Sequence, residues 1–176
     1  RGHRHRCALG SECIVGPALG DPSAVPGGTG RELADVVHAT RVYDSRPCQA
    51  PDGTDPITGE TDTRLSVGQT RRIDVSYVLG SAEAPTGVDT TSPAVLLNVT
   101  AVNCVGNTGY LKLWADGGTE PSTSSLNWDH QAATIANSVT TRHGNGYINV
   151  RCGGPAGGSV NFIIDVLGYY ESTVLL

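Results

Sequence analysis

Cysteine is the residue type of this chain best suited to covalent or metal chemistry. The five cysteines lack the C-x-x-C spacing of a zinc site, and no histidine stands at a matching offset. Cys104 and Cys152 occupy related places in two similar segments, and we predict a disulfide between them. A second bridge is expected among Cys7, Cys13 and Cys48, whose pairing the spacing leaves open. An odd count leaves one thiol free or bonded to another chain in an oxidising compartment.

The histidines do not form the pattern of a hydrolase. A serine hydrolase needs a nucleophile on a strained turn, a base and an orienting acid, and no G-x-S-x-G motif occurs. Only His130, which follows Asp129, and His143 could meet, and nothing pairs them with a nucleophile. We therefore expect no catalytic residues, and an enzyme would require a cleft that joins both histidines to an aspartate.

One long predicted loop, residues 47–62, carries four carboxylates. Calcium takes six to eight oxygen ligands of this kind, but the spacing lacks the order of an EF-hand. An acidic loop that is only solvated is the favoured alternative, so no cofactor is expected. The candidate calcium ligands are Asp52, Asp55, Glu60 and Asp62.

A carboxylate within an apolar strand suggests a structural ion pair. Asp165 lies inside the stretch FIIDVLGYY, and Asp44 stands close to Arg41 and Arg46. A buried charge without a partner is costly. We therefore predict that Asp165 or Asp44 forms a buried ion pair with Arg46, which holds the first and last strands together.

Aromatic side chains are the remaining candidates for ligand contact. Tyr110 and Tyr147 follow equivalent turns, and Trp114 lies on the same predicted strand as Tyr110. Exposed rings on one face of a β-sandwich can stack on sugars. The favoured alternative is that these rings fill the core or cap the sheet edges, because sandwich cores need large side chains.

Two similar segments position several of these residues. VTAVNCVGNTGYLKLW covers residues 99–114, and VTTRHGNGYINVRC covers residues 139–152. Both start with Val-Thr, pass through a turn of Gly and Asn, and continue as Gly-Tyr and an alternating strand. We predict that each segment is an antiparallel hairpin.

Composition and periodicity predict an all-β fold. The chain has 23 glycines and 10 prolines, only 16% charged residues, and short stretches of alternating hydrophobicity. About eight strands are expected, in an antiparallel two-layer β-sandwich of jelly-roll or Ig-like type. Residues 40–171 would form this domain, and a tail at 172–176 would follow it. An irregular extension at 1–39 would precede the domain, and residues 31–39 of the extension could form two helical turns.

Charge and hydropathy bound the partners. The net charge of -5 argues against nucleic acid, and no apolar run approaches the roughly 18 residues that span a membrane. The one basic cluster is RGHRHR, with Arg1, Arg4 and Arg6. It is either a solvated tail or an assembly arm that contacts a partner. The first residue is Arg rather than Met, so we expect a mature form that has lost a preceding region.

Eight short motifs follow one another in an order that resembles a known domain. They are RVYDSR, LSVGQTRRIDV, AVLLNVTAVN, GYLKLW, SSLNW, ANSVTT, GYINV and FIIDVLGYY, and they span about residues 40 to 170. The series resembles an all-β domain common in secreted and cell-surface proteins of actinobacteria and in proteins of their phages. The resemblance implies an extracellular module without catalytic machinery of its own.

The expected function is therefore that of a non-enzymatic extracellular structural or interaction module. It would be a subunit of a larger surface or particle assembly, with other protein subunits as partners and self-assembly through the arm. One alternative is an accessory module of a secreted hydrolase that binds cell-wall or other glycans. Another is a surface or tail component of a phage virion.

Overall fold

The computed structural model describes residues 33–46, 64–80 and 84–171. Nine strands lie within these residues. The described part of the chain has no helix that is long and apolar enough to cross a membrane. The strands are β1 Leu33–Asp44, β2 Leu65–Ser66, β3 Thr70–Asp74, β4 Ala94–Val105, β5 Gly109–Ala115, β6 Leu126–Trp128, β7 Ile135–Thr141, β8 Tyr147–Gly153 and β9 Ser159–Tyr170.

The strands form two antiparallel sheets packed face to face. The five-stranded sheet has the order β1-β9-β4-β7, and β2 pairs with the first residues of β9. The four-stranded sheet has the order β3-β8-β5-β6. This arrangement confirms the predicted all-β sandwich, with nine described strands where about eight were expected.

The core lies between the sheets and follows the period of two. In β9, Val160, Phe162, Ile164 and Val166 are all fully buried, as their shared face predicts. The ring of Tyr43 from β1 stacks on Phe162 with 4.8 Å between the ring centroids. This contact fastens the edge strand β1 to the centre of the sandwich.

The two similar segments connect the sheets and are not hairpins. The first runs from β4 in the five-stranded sheet to β5 in the four-stranded sheet, and the second runs from β7 to β8 in the same way. β4 pairs with β7, and β5 pairs with β8, so the two connections lie side by side. The prediction of hairpins was wrong because a turn of Gly and Asn serves a sheet-to-sheet connection equally well. The repeat builds neighbouring strand pairs in both layers.

The sandwich begins earlier than predicted. β1 starts at Leu33, not at Thr40, and residues 33–39 are strand where two helical turns were expected. Pairing of Leu33 with Tyr170 and of Asp35 with Gly168 determines this outcome, because β9 offers a partner along its whole length. Residues 1–32 of the predicted extension and the tail at 172–176 lie outside the described residues.

Candidate ligand-binding face

The outer face of the four-stranded sheet is the candidate site. Along β5, Leu111 and Leu113 are buried while Tyr110 and Trp114 are only half-buried, so the latter two point away from the core. β8 and β3 alternate in the same way. We call the outward-pointing side chains of β3, β5 and β8 the outer face. It includes Arg72, Tyr110, Lys112, Trp114, Tyr147 and Asn149.

The Tyr110 ring lies over the neighbouring strand. Tyr110 pairs across strands with Gly153 of β8, and any side chain at position 153 would collide with the Tyr110 ring. The absence of a side chain at Gly153 therefore gives the ring its place on the sheet, where Tyr110 stays half-buried. The Lys112 ammonium lies 5.8 Å from the ring centroid.

A second group surrounds Tyr147. The Arg72 guanidinium lies over the Tyr147 ring, 3.3 Å from its centroid, and Arg72 Nε donates to Asp116 Oδ2 over 2.6 Å. Asn149 Nδ2 donates to the other carboxylate oxygen of Asp116 over 3.2 Å. The hydrogen bond from Arg72, assisted by Asn149, lowers the pKa of Asp116. These contacts hold the planar side chains of the group in fixed orientations.

A third group links β5 and β8 through Glu120. Lys112 Nζ lies 3.0 Å from Glu120 Oε1, and Arg151 Nη1 lies 3.7 Å from Glu120 Oε2. Lys112 and Arg151 are direct neighbours across the strand pair. The single charge of the glutamate thus reduces the repulsion between two neighbouring cations.

The charges of the outer face balance. Three cations pair with the carboxylates of Asp116 and Glu120, and the third carboxylate, that of Asp74, accepts the Ser76 N–H at its Oδ1 over 2.8 Å. The face combines three aromatic side chains, amide and guanidinium donors and carboxylate acceptors without net charge. The six charged residues are Arg72, Lys112, Arg151 and Asp74 on the strands of the face, and Asp116 and Glu120 in the loop that follows β5.

The structure brings together all three aromatic residues predicted to face a ligand. Tyr110, Trp114 and Tyr147 lie on the outer face, and none of them belongs to the core. The sequence reasoning did not identify Arg72 and Asp116 as members of this group. The sequence signal for Arg72 was the alternation of polar and apolar residues in β3, which places its side chain on the outward side. That Arg72 shares a face with Tyr147 follows from the pairing of β3 with β8.

Of the two carboxylates proposed as partners of Arg46, Asp44 is the one that pairs with it, and the contact between the first and last strands is made by Arg41 instead. Asp44 is completely buried and receives Arg46 Nε over 2.9 Å and Arg46 Nη2 over 2.7 Å. Asp165 pairs with Arg41 instead, with Nε 2.9 Å from Oδ1, because Arg41 is its direct neighbour across β1 and β9. Arg41 Nη1 also lies 3.3 Å from Asp44 Oδ2, so one network joins all four side chains.

The two described cysteines are buried free thiols. Cys104 ends β4 in one sheet, and Cys152 lies on β8 in the other. They come to the same end of the sandwich, as the related segments indicated, but the predicted bond is absent. The two residues lie on strands of different sheets, and each thiol is buried in the core without a covalent partner. Burial, together with the neighbouring Cys104, raises the pKa of Cys152 to about 11.

The two described histidines outside β1 have separate partners. His130 Nδ1 lies 2.7 Å from Asp129 Oδ1, where both side chains are exposed. His143 is half-buried, and its Nδ1 accepts the Gly146 N–H over 2.9 Å. Burial lowers the pKa of His143, although the Ser92 carbonyl and the Asp89 charge oppose this shift.

Several predicted site residues lie outside the described residues, and their predictions stay open. These are the remaining cysteines, the arm and the candidate calcium ligands. Within the described ranges, no group of three or more His, Cys, Asp or Glu side chains could hold a metal ion. The residues outside are Cys7, Cys13, Cys48, Arg1, Arg4, Arg6, Asp52, Asp55, Glu60 and Asp62.

Comparison with known proteins adds no relative. No family model matches the sequence, and no curated protein is significantly similar to it.

Proposed function

We propose that this chain is a non-catalytic extracellular module that binds carbohydrate through the outer face of its four-stranded sheet. The observation that carries the proposal is the half-buried Tyr110 ring, which lies over Gly153 beside fixed polar side chains. Sugars present apolar C–H faces and a rim of hydroxyl groups. A flat ring suits the first, and oriented donors and acceptors suit the second.

The charge balance favours an uncharged ligand. Arg72 is paired with Asp116, and Lys112 and Arg151 share Glu120. A strongly anionic or cationic partner would have to displace one member of these pairs. The hydroxyl groups of a neutral glycan can instead bond to the remaining lone pairs and protons of the paired groups.

The placement of the rings favours a chain of sugars over a single sugar. Tyr110 and Trp114 lie on the same face of β5, four residues apart, and this separation corresponds to about 14 Å along an antiparallel strand. One pyranose ring cannot cover that distance. Tyr147 has a different role, because Arg72 covers one side of its ring, and it orients the guanidinium towards the ligand.

The extracellular setting rests on the sequence resemblance described above. A glycan-binding module would serve as an accessory domain of a secreted hydrolase or as a surface component of a cell envelope or a phage particle. In each setting the module would hold its assembly on a polysaccharide surface. No reaction is assigned to the chain itself.

Sedimentation with insoluble polysaccharides tests the proposal. The full chain would be mixed with purified peptidoglycan, cellulose and xylan, and the bound fraction measured over a range of concentrations. We expect binding to at least one of them, weakened at least about tenfold by Trp114→Ala and by Tyr110→Ala. Tyr77→Ala is the matched control, because Tyr77 is a 44% exposed tyrosine outside the outer face.

The outcome that refutes the proposal is equally direct. Failure of the wild-type chain to bind any of the three polysaccharides would contradict it. Binding that Trp114→Ala and Tyr110→Ala leave unchanged would place the contact on another surface. Thermal melting of each variant shows whether the fold is intact.

A further inference from the structure

Strand β7 has an edge that no described strand covers. It pairs with β4 over seven consecutive residue pairs, from Ile135 opposite Ala101 to Thr141 opposite Val95. Within the described ranges, no backbone group of β7 bonds to backbone other than that of β4. Alternate N–H and C=O groups of β7 therefore point away from the sheet as a row of available donors and acceptors.

The other edge strands of the sandwich carry features that discourage pairing with another strand. β1 has two register shifts against β9 and holds the charged residues Arg41 and Asp44. β3 has five residues, of which Arg71, Arg72 and Asp74 are charged. β6 has only three residues. Bulges, charges and short length are the devices by which natural sheets avoid edge-to-edge association.

β7 has none of these devices. Its sequence IANSVTT contains no charge, no proline and no glycine, and its register against β4 has no shift. Thr and Val residues favour the extended conformation. The strand is thus a regular, neutral edge of seven residues, suited to accept another strand.

We propose that β7 pairs in antiparallel fashion with β7 of a second copy of this chain, which joins two five-stranded sheets into one. The backbone groups that point away from β4 recur at every second residue of β7, and side chains alternate between the two faces of the sheet with the same period. In the proposed pairing, each β7 residue therefore lies opposite a residue of the second copy whose side chain is on the same face of the joined sheet. A register centred at Ser138 pairs all seven residues, with Ile135 opposite Thr141 of the other copy. A second copy fits because the edge is uncharged and does not repel itself, and the resulting contact is a closed two-fold one.

Charge placed at the centre of the strand tests this pairing. Ser138 is exposed and lies at the two-fold axis of the proposed register, so Ser138→Lys would put two like charges opposite each other. Sedimentation equilibrium of the full chain should show a concentration-dependent dimer. Ser138→Lys and Ser138→Asp should each raise the dimer dissociation constant by about tenfold or more.

Mixing the two charged variants supplies the decisive comparison. An equimolar mixture of the Ser138→Lys and Ser138→Asp chains should dimerise more strongly than either chain alone, since opposite charges then face each other. Thr119→Lys is the matched control, because it adds the same charge at an exposed loop position away from β7. Circular dichroism confirms that each variant is folded.

Two results would overturn the proposal. One is a wild-type chain that stays monomeric at millimolar concentration. The other is a dimer that Ser138→Lys and Thr119→Lys affect equally, since association would then use another surface, such as the segment before Leu33. The binding of polysaccharide to the outer face is measured separately, so either proposal can fail alone.

Discussion

Removal of Arg46 should destabilise the sandwich through the buried carboxylate of Asp44. Asp44 is fully buried, and Arg46 supplies three of its hydrogen bonds, two from the guanidinium and one from the backbone N–H at 3.1 Å. Arg46→Met keeps an unbranched side chain as far as the position of Nε, together with the backbone N–H, but removes the guanidinium and its charge. The carboxylate then retains only the 3.3 Å contact with Arg41 and the backbone donor.

The size of the effect follows from the burial of the two partners. Breaking a buried ion pair costs about 3–5 kcal/mol, and the low end applies here because Arg46 is 34% exposed and Arg41 remains. A loss of about 3 kcal/mol lowers the melting temperature of a chain of this size by about 6–12 °C. Differential scanning calorimetry of the full chain measures the shift.

Two further variants make the result interpretable. Arg151→Met removes an arginine from a partly exposed ion pair of 3.7 Å, and we expect a loss of at most about 1 kcal/mol. In the background of Asp44→Asn, Arg46→Met should cost much less, because no buried charge then loses its partner. Equal melting temperatures for Arg46→Met and Arg151→Met would refute the reasoning.

Two further predictions concern the titration of buried groups. Burial lowers the pKa of His143 below its ordinary value of 6.5, so its neutral form stabilises the fold above that pH, and the stabilisation is lost as the pH falls through the folded-state pKa. Urea denaturation from pH 8 to 5 should show this loss, and His143→Gln should reduce it; equal pH profiles would contradict the assignment. Cys104 and Cys152 should resist iodoacetamide at pH 8 in the reduced native chain and react after denaturation, because burial raises the pKa of both thiols, that of Cys152 to about 11. Peptide mapping by mass spectrometry measures this, and fast alkylation of the native chain would show that the end of the sandwich is open.

The sandwich could be predicted from sequence because its strands keep a period of two. Val160, Phe162 and Ile164 illustrate this, since every second residue of β9 points into the core. Local sequence patterns were less informative about secondary structure where pairing with a distant strand determines it. Residues 33–39 have a pattern that fits a helix, but the full-length partner β9 makes them a strand.

The connections between strands were the least predictable part of the fold. The same Gly-Asn turn can join two strands of one sheet or carry the chain to the other sheet, and Asn145 and Gly146 have positive φ values that fit both. The choice depends on which strands lie beside each partner. Here the pairing of β4 with β7 and of β5 with β8 determines the connection, and the members of each pair are distant in sequence.

The candidate site was predictable in part for the same reason. The aromatic residues stood out by type and by their place after the turns, whereas Arg72 and Asp116 gain meaning only from cross-strand neighbours. Arg72 is a direct neighbour of Asn149 through the register of β3 and β8, and Asn149 in turn is a neighbour of Trp114. A face built from three strands cannot be read from any one of them.

The two tryptophans allow the most direct test of carbohydrate binding at the outer face. Trp114 lies on that face, whereas Trp128 is buried, so the chain has one indole N–H signal at the site and one in the core. The ¹⁵N-labelled full chain would be titrated with a soluble hexasaccharide of the polysaccharide that it sediments with. The account predicts that the Trp114 indole signal shifts with added sugar while that of Trp128 stays in place. A Trp114 signal that does not move at saturating sugar would contradict the account.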